Sequence, residues 1–231
     1  PWVPDTQRAG LEPFRNQAAP VDFSNFYGLK ARDYEKTTTD VITAKVEHDF
    51  NDSVSLRNLT RYGINDRDSI ITAPRFLNAT NTVIRRSDWK SRDQVDDIIA
   101  NQTDLTVEFS TGKIDHTLVG GVEFARETEE NHLRDKTGPD SPATDLFNPN
   151  PNDPYTEAIA RTGARNKSVG TSASIYAFDT VKLNEQWELN GGLRWDHFDL
   201  DYRSYNTNGV LATDLGRTDE TLSWRAGVVF K

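Results

Sequence analysis

The sequence has 231 residues, of which 35% are hydrophobic and 27% charged, with a formal net charge of −9 and no cysteine or methionine. The absence of cysteine excludes a disulfide scaffold and zinc–thiolate chemistry, and the negative charge argues against general nucleic-acid binding. No apolar run is long enough for a membrane-spanning helix, and no signal peptide is present. Because translation starts at methionine, we expect a chain that begins with Pro1 to be a processed or excised piece.

The first half of the chain predicts four strands. Residues 1–31 contain four prolines and predict an irregular surface loop. From about Arg32 the sequence is rich in β-forming residues, and Asn51-Asp52-Ser53 predicts a tight turn into a second strand that ends near Ile71. A long connection, about 72–92, precedes a third strand over about 93–109. The turn Ser110–Lys113 then leads into a fourth strand over about 114–129.

The second half predicts three more strands. The connection over about 130–165 holds five of the ten prolines, and a structureless loop of this length is unusual in a compact soluble domain. A fifth strand is predicted from about 166 to 183, and a sixth from 187 to about 202. A third long connection is predicted to about Arg217, followed by a last strand from about Leu222.

The stretch Trp187–Trp195 alternates most clearly between apolar and polar residues. One side carries Trp187, Leu189, Leu193 and Trp195, and the other carries Glu188, Asn190 and Arg194. A strand that faces lipid on one side and water on the other has this pattern, with aromatic residues at the two interfaces. A strand of a soluble sandwich, with its apolar side in a core, would have it too.

The strand lengths and the connections favour the membrane alternative. The predicted strands exceed the five or six residues that are usual in soluble sheets, and the connections alternate between short and long. Short turns on one rim and long loops on the other are typical of outer-membrane barrels. An open sheet in lipid would leave its edges unpaired, so about seven strands predict a part of a larger barrel.

The sequence offers no set of residues with catalytic or metal-binding spacing. Its four histidines match no zinc motif, and Asp196, Asp199 and Asp201 around His197 are interpreted as a polar strand end. Short N-x-S/T sequons begin at five asparagines, Asn51, Asn58, Asn78, Asn101 and Asn166, and such short patterns arise by chance. We therefore predict no enzyme activity.

The first long connection is the candidate ligand site. Arginine and aromatic side chains together can hold a planar anionic ligand by paired hydrogen bonds and stacking. The predicted ligand-binding residues are Arg75, Phe76, Arg85, Arg86, Trp89 and Lys90. The alternative is that these charges are solvated or contact lipopolysaccharide.

Several stretches resemble barrel strands of TonB-dependent ferric-siderophore receptors, and most closely the catecholate subgroup. They are Ser55–Gly63, Asn101–Leu105, His116–Phe124, Tyr176–Thr180, Trp187–Trp195 and Leu222–Gly227. The resemblance extends from about Phe26 to the end of the chain, and it rests on the order and spacing of these stretches.

The resemblance implies an all-β fold, an antiparallel up-and-down meander of about seven long strands within a 22-stranded transmembrane barrel. Residues 1–231 would form part of the barrel domain, without the plug or the N-terminal box that contacts TonB. The implied function is binding and import of ferric siderophores across the bacterial outer membrane, with no cofactor and iron arriving only with the ligand. Lipid cannot solvate charge, so Asp104, Glu108, Glu188 and Arg194 are predicted to face the lumen.

Two alternatives from other classes remain open from the sequence. A passive porin-type channel would have the same strands without a plug. A soluble β-sandwich binding module would have similar alternation with its apolar side in a core. The implied partners of a transporter are a ferric siderophore, TonB, and outer-membrane lipid with lipopolysaccharide, and nucleic acid is not among them.

Overall fold

A computed structural model describes residues 18–78 and 81–231. The predicted irregular segment therefore lies partly outside the described residues, up to position 17. Among the residues that are described, there is no helix long and apolar enough to cross a membrane.

Ten strands follow one another along the described chain. Their bounds are β1 (Tyr34–Asn51), β2 (Val54–Thr72), β3 (Arg75–Phe76), β4 (Val83–Arg85), β5 (Trp89–Thr111), β6 (Ile114–Thr137), β7 (Thr144–Asp145), β8 (Ala158–Lys182), β9 (Trp187–Tyr205) and β10 (Leu211–Phe230). The seven long ones form one sheet in sequence order, and β3, β4 and β7 form a second, small sheet. The predicted all-β antiparallel meander of about seven long strands is thus confirmed.

The prediction of a third long connection is wrong. β9 and β10 remain paired from Phe230↔Trp187 to Leu211↔Tyr205, so only residues 206–210 join them. Asn206 closes this turn, since its side-chain oxygen accepts hydrogen bonds from the backbone N–H groups of Asn208 and Val210 at 2.9 and 3.0 Å. Gly209 has a φ of +74°, a backbone conformation that residues with a side chain rarely adopt. Backbone pairing continues here without apolar alternation, which is why the pattern missed it.

The second long connection, predicted over about 130–165, is shorter than expected at both of its ends for the same reason. β6 continues to Thr137, where the sequence pattern ended near 129, and β8 begins at Ala158 rather than near 166. The residues that were missed are mostly polar or charged. Their backbone groups pair in a ladder that needs no apolar face.

The register of β8, β9 and β10 defines two faces of the long sheet, because directly opposite residues lie on the same face. Trp195 pairs with Ile175 and Leu222, and Leu193 pairs with Ala177 and Trp224. We call this side the apolar face. Arg194 pairs with Tyr176 and Ser223 on the other side, which we call the polar face.

The described residues fall into two compact units. The sheet unit consists of Thr39–Asp66, Val95–Glu130 and Arg165–Lys231. The loop unit consists of the described residues up to Thr38 together with Arg67–Gln94 and Asn131–Ala164. Each unit carries one group of the functional residues that the sequence predicted.

Candidate functional site

The long connections of the loop unit are folded around a small apolar core. β4 lies between β3 and β7, with Phe76 opposite Ile84 and Ile84 opposite Thr144. Ile84 and Leu146 are fully buried, and Ala19 is the third buried residue of this core. Phe76 packs against the core. The hydroxyl of Tyr27 donates a 2.6 Å hydrogen bond to the Leu146 carbonyl, and burial raises the pKa of this hydroxyl above its ordinary value. It therefore remains a donor.

Arg86 is a buried structural residue of the loop unit. Its guanidinium donates to the Tyr27 carbonyl at 3.0 Å, to the Asn150 carbonyl at 2.7 Å and to the Asp153 carboxylate at 2.7 Å. The residue is 0% exposed. Because its N–H groups are used within the chain, the placement of Arg86 contradicts its prediction as a ligand-binding residue.

Arg32 is a second buried arginine of the loop unit, and the sequence did not predict a role for it. Arg32 donates to the Glu157 carboxylate at 2.9 Å, to the Arg86 carbonyl at 3.1 Å and to the Thr72 hydroxyl at 2.5 Å. The other Glu157 oxygen accepts from the Ser141 N–H at 2.8 Å. Nothing in the local sequence around Arg32 or Glu157 distinguishes them from solvated charges, because their partners lie up to 125 positions away.

Two of the predicted ligand residues, Arg75 and Arg85, lie next to each other and are exposed to solvent. They are directly opposite each other on β3 and β4, so both project from the same side of the small sheet. Both are exposed. Arg85 forms a 2.8 Å ion pair with Asp88, and Arg75 donates to the Pro74 carbonyl at 3.0 Å.

An open cleft of about 420 Å³ lies beside Arg75. Its lining includes Phe23 and Tyr27 from the segment before β1, together with Pro74. Phe23 is 92% exposed, which is uncommon for a large aromatic side chain. The cleft therefore combines an accessible ring with a guanidinium.

The remaining predicted ligand residues are more scattered. Phe76 faces the apolar core of the loop unit and is only half-buried there. Trp89 and Lys90 are the first two residues of β5, so their side chains point to opposite sides of that strand. Lys90 is exposed and Trp89 is half-buried.

The polar face of the sheet unit carries a connected set of charged and hydroxyl groups. The Tyr176 hydroxyl hydrogen-bonds to the Asp104 carboxylate and accepts from the Gln102 amide at 3.0 Å. Arg57 lies 3.9 Å from Asp104 and 4.0 Å from Glu47. The polar face therefore extends from β1 to β8 through contacts between side chains.

Arg194 continues this set on β9. It contacts the Glu123 carboxylate at 3.3 Å, the Asp196 carboxylate at 2.8 Å and the Ser174 hydroxyl at 2.8 Å. Its guanidinium also lies 5.4 Å from the centre of the Tyr176 ring. The four residues that the sequence predicts to face the lumen lie on the polar face, as these contacts and strand alternation indicate. They are Asp104, Glu108, Glu188 and Arg194.

The carboxylates around His197 are divided between the two faces. His197 contacts Asp199 at 2.8 Å and Glu220 at 3.5 Å on one side, while Asp196 contacts Arg194 on the other. Across the described residues, no group of three or more acidic, histidine or cysteine side chains could hold a metal ion. Strand alternation places Asp196 on the opposite face from His197 and Asp199, so this sequence cluster is divided.

Comparison with known protein families shows that the chain is similar to a family of receptors. The family model described as "TonB dependent receptor-like, beta-barrel" matches residues 2–231. Among curated proteins, the catecholate siderophore receptor Fiu of Escherichia coli K12 is 32% identical over 93% of this chain. The match covers 31% of Fiu, so the chain spans about a third of the length of this relative.

Solved structures give the same fold. The open crystal form of the ferric-catecholate import receptor Fiu from E. coli K12 matches 99% of this chain and 39% of the Fiu chain, with 29% identity and a TM-score of 0.82. The siderophore receptor PiuA from Acinetobacter baumannii matches 92% of this chain and 33% of its own, with 23% identity and a TM-score of 0.81. The PiuA likeness concerns the fold alone.

Proposed function

Because this chain belongs to the family of TonB-dependent receptor-like β-barrels, we propose that it forms part of an active transporter that binds and imports ferric siderophores. The family is one of outer-membrane receptors rather than enzymes, and the outer membrane is the location of this chain. The Fiu relative, by its name, is a receptor for catecholate siderophores. The family match disfavours a passive porin-type channel and a soluble sandwich.

In this proposal the apolar face contacts lipid and the polar face contacts the lumen. Leu193, Trp195 and Trp224 are between 38% and 75% exposed on the apolar face. Such exposure is costly in water but favourable in a bilayer. The charges of the polar face need water or polar partners, which a barrel interior offers.

The ligand would bind to the loop unit through Arg75 and Arg85. The observation that carries this proposal is their direct opposition on β3 and β4, with both guanidinium groups exposed. A ferric catecholate has several negative oxygens and planar rings, and two guanidinium groups can donate paired hydrogen bonds to such oxygens. The net charge of −9 means that attraction must come from local cations rather than from the whole chain.

The test is a double substitution, Arg75→Ala with Arg85→Ala, in the full-length receptor. We expect weaker binding of a ferric catecholate, by about tenfold or more, because two charge-assisted contacts are lost. Affinity is measured on purified receptor, and heat-modifiable gel migration reports folding.

The matched control is Arg203→Ala with Arg217→Ala, which removes two exposed arginines from β9 and β10. This control has the same change in net charge, so its affinity should stay near that of the unsubstituted receptor. Unchanged affinity in the folded Arg75 and Arg85 variant would remove these two residues from the site. Failure of the unsubstituted receptor to bind any ferric siderophore would contradict the proposed function itself.

TonB, lipid and lipopolysaccharide complete the proposed set of partners. TonB would supply energy through a region of the receptor outside this sequence. Lipid would cover the apolar face, and lipopolysaccharide would contact charged groups beyond the apolar band. The charge of the chain gives no reason to include nucleic acid.

A further inference from the structure

A single acidic residue interrupts the apolar face of the sheet unit. Asp179 is directly opposite Gly191, which is directly opposite Ala226, so all three residues lie on the apolar face. Asp179 is the only charged side chain among the apolar-face residues of three stretches, which are 173–181, 187–195 and 222–230. A charge that faces lipid is costly unless it has a partner, so the contacts of Asp179 need a physical reason.

Asp179 has a partner on the neighbouring strand, but its hydrogen-bonding capacity is only partly used. The Nδ1 atom of His116 on β6 lies 2.8 Å from Asp179 Oδ2. The other carboxylate oxygen, Oδ1, is buried and has no hydrogen-bond partner among the described residues. An ionised carboxylate accepts several hydrogen bonds, of which His116 accounts for one. Because the Asp179 side chain is 31% exposed, the carboxylate can still accept a donor from outside the chain.

The His116–Asp179 pair lies near the rim of short turns, at the level of aromatic side chains. The His116 ring stacks on Phe109, with centroids 4.7 Å apart and an interplanar angle of 3°. Farther along the sheet, the rings of Trp187 and Phe230 are 4.8 Å apart. In outer-membrane barrels the short turns are periplasmic, and aromatic residues mark the boundary between acyl chains and head groups. Asp179 therefore lies close to the head groups of the periplasmic leaflet.

A cleft of about 660 Å³ opens beside Asp179 on the apolar face. Its lining joins this carboxylate to small and apolar residues, which include Leu189, Gly191, Ala226 and Val228. The nearest atom to a Cβ added at Gly191 would be the Arg225 carbonyl oxygen at 3.6 Å, an ordinary contact distance. Packing within the sheet therefore does not require a glycine at this position, and the cleft is space that a side chain could fill.

Charge and hydrogen bonding select among the lipids that could occupy this cleft. An anionic lipid would place its phosphate near the Asp179 carboxylate, where like charges repel. A quaternary ammonium has no N–H group to donate, whereas a primary ammonium donates charge-assisted hydrogen bonds to a carboxylate. An acyl chain of the same lipid can pack along Leu189 and Val228 through dispersion contacts.

We propose that this cleft, which we call the Asp179 cleft, binds a phospholipid of the periplasmic leaflet that has a primary ammonium in its head group. The ammonium donates to the Asp179 carboxylate, and an acyl chain lies over Gly191 and Ala226. His116 is a positioning residue, because its contacts with Asp179 and Phe109 hold the carboxylate beside the cleft. The site depends on the proposed function only for the placement of the apolar face in lipid.

The test is native mass spectrometry of the full-length receptor, delipidated in detergent and titrated with lipids that have identical acyl chains. We expect phosphatidylethanolamine to bind about three- to tenfold more tightly than phosphatidylcholine, whose head group has the same net charge but no N–H donor. Phosphatidylglycerol, which is anionic, should bind no more tightly than phosphatidylcholine. The fraction of receptor that carries one lipid is the measured quantity.

Asp179→Asn tests the charge with little change in shape. We expect the preference for phosphatidylethanolamine over phosphatidylcholine to fall below about twofold, because a neutral amide oxygen accepts a weaker hydrogen bond. The matched control is Asp199→Asn. Asp199 lies on the same face and contacts His197 at 2.8 Å, but it does not line the cleft, so this variant should keep the full preference. Heat-modifiable gel migration reports folding of both variants.

Gly191→Leu tests the apolar part of the cleft and provides a second measurement if Asp179→Asn fails to assemble. The leucine side chain would occupy the space of the acyl chain, so we expect the affinities for phosphatidylethanolamine and phosphatidylcholine to fall about threefold or more. Gly216→Leu is the matched control, because Gly216 is opposite Asp201 on the same face and does not line the cleft. Its lipid affinities should be unchanged.

Four results would overturn the lipid site. They are equal affinities for phosphatidylethanolamine and phosphatidylcholine, a preference that survives Asp179→Asn in the folded receptor, lipid binding that is insensitive to Gly191→Leu, and receptor dimers that exclude lipid. None of these measurements uses a siderophore. A receptor that shows the expected lipid preference but binds no ferric siderophore therefore contradicts the proposed function alone.

Discussion

At the scale of single residues, neighbouring arginines in one loop have different roles. Arg85 is exposed and pairs with Asp88, whereas Arg86 is buried and donates to two carbonyls and one carboxylate. Removal of one member of a buried charged network leaves its partners desolvated and unpaired, which costs more than removal of an exposed ion pair. The buried arginines therefore determine how the loop unit folds, and the exposed ones are available for binding.

The first prediction concerns Arg86→Ala. We expect it to destabilise the loop unit by about 3 to 5 kcal/mol, because Asp153 and two backbone carbonyls lose their donor. Amide hydrogen exchange of segments 72–88 and 138–157 in the full-length receptor should become much faster.

Arg85→Ala is the control, since it removes an equal charge from an exposed position. Its exchange pattern should match that of the unsubstituted receptor. Equal protection of the two segments in both variants would show that Arg86 does not support them.

At the scale of strands, two sequons are explained by packing. Asn58 and Thr60 on β2 face Thr103 and Asn101 on β5. The Asn58 amide donates to Thr103 at 2.7 Å, and the Asn101 amide donates to Thr60 at 2.7 Å. Each N-x-T pattern supplies an asparagine and a threonine on the same face of one strand, and the two strands satisfy each other. These groups lie on the apolar face, where an unpaired amide would be costly.

A double-mutant cycle on Asn58 and Asn101 tests this arrangement. Each single change to alanine should destabilise the full-length barrel by about 1 to 2 kcal/mol, because it leaves polar partners unpaired. The double variant should lose less than the sum, with a coupling of about 0.5 to 2 kcal/mol. Denaturant midpoints in detergent provide the measurement, and strictly additive losses would argue against a shared network.

The hairpin between β9 and β10 depends on its turn. Gly209→Val introduces a β-branched residue at a φ of +74°, which should cost about 1 to 2 kcal/mol. We expect faster amide exchange in residues 203–214, because pairing next to the turn is lost first. Asn208→Ala, one position earlier, should have a smaller effect, and equal effects of the two variants would contradict a conformational cause.

At the scale of the whole molecule, the two faces of the long sheet have opposite chemical requirements. The apolar face exposes large side chains such as Leu193 at 57% and Trp224 at 75%. The polar face carries the contacts among Asp104, Tyr176 and Arg194. A membrane barrel satisfies both requirements, because one face meets lipid and the other meets a wet interior.

Leu193→Arg tests this assignment. A charge in the middle of the lipid-facing band should destabilise the barrel by about 2 to 4 kcal/mol, because lipid cannot solvate it. Thr180→Arg, on the polar face opposite Asn190, should assemble normally. The amount of heat-modifiable receptor in outer-membrane fractions is the measurement, and equal assembly of both variants would contradict the facing of the sheet.

The sequence alone determined the strand order and the face of most strand residues. Period-two alternation is a local property, so Trp187–Trp195 defined its two faces without knowledge of any partner strand. The short turns also forced the strands that they join to pair, which produced the hairpins of the meander. The same local pattern indicated where apolar alternation ended, but not where backbone pairing ended.

Only the tertiary structure separated Arg86 from Arg85 and placed Arg32 against Glu157. Burial of a charge depends on partners far along the chain, such as Asp153 for Arg86, and no local pattern encodes that distance. The same holds for a cleft on the polar face of the sheet unit, where Val41, Ile98 and Phe198 come from three different strands. Local periodicity fixes which side of a strand a residue occupies, whereas its burial and charge environment depend on contacts that form only when distant segments meet.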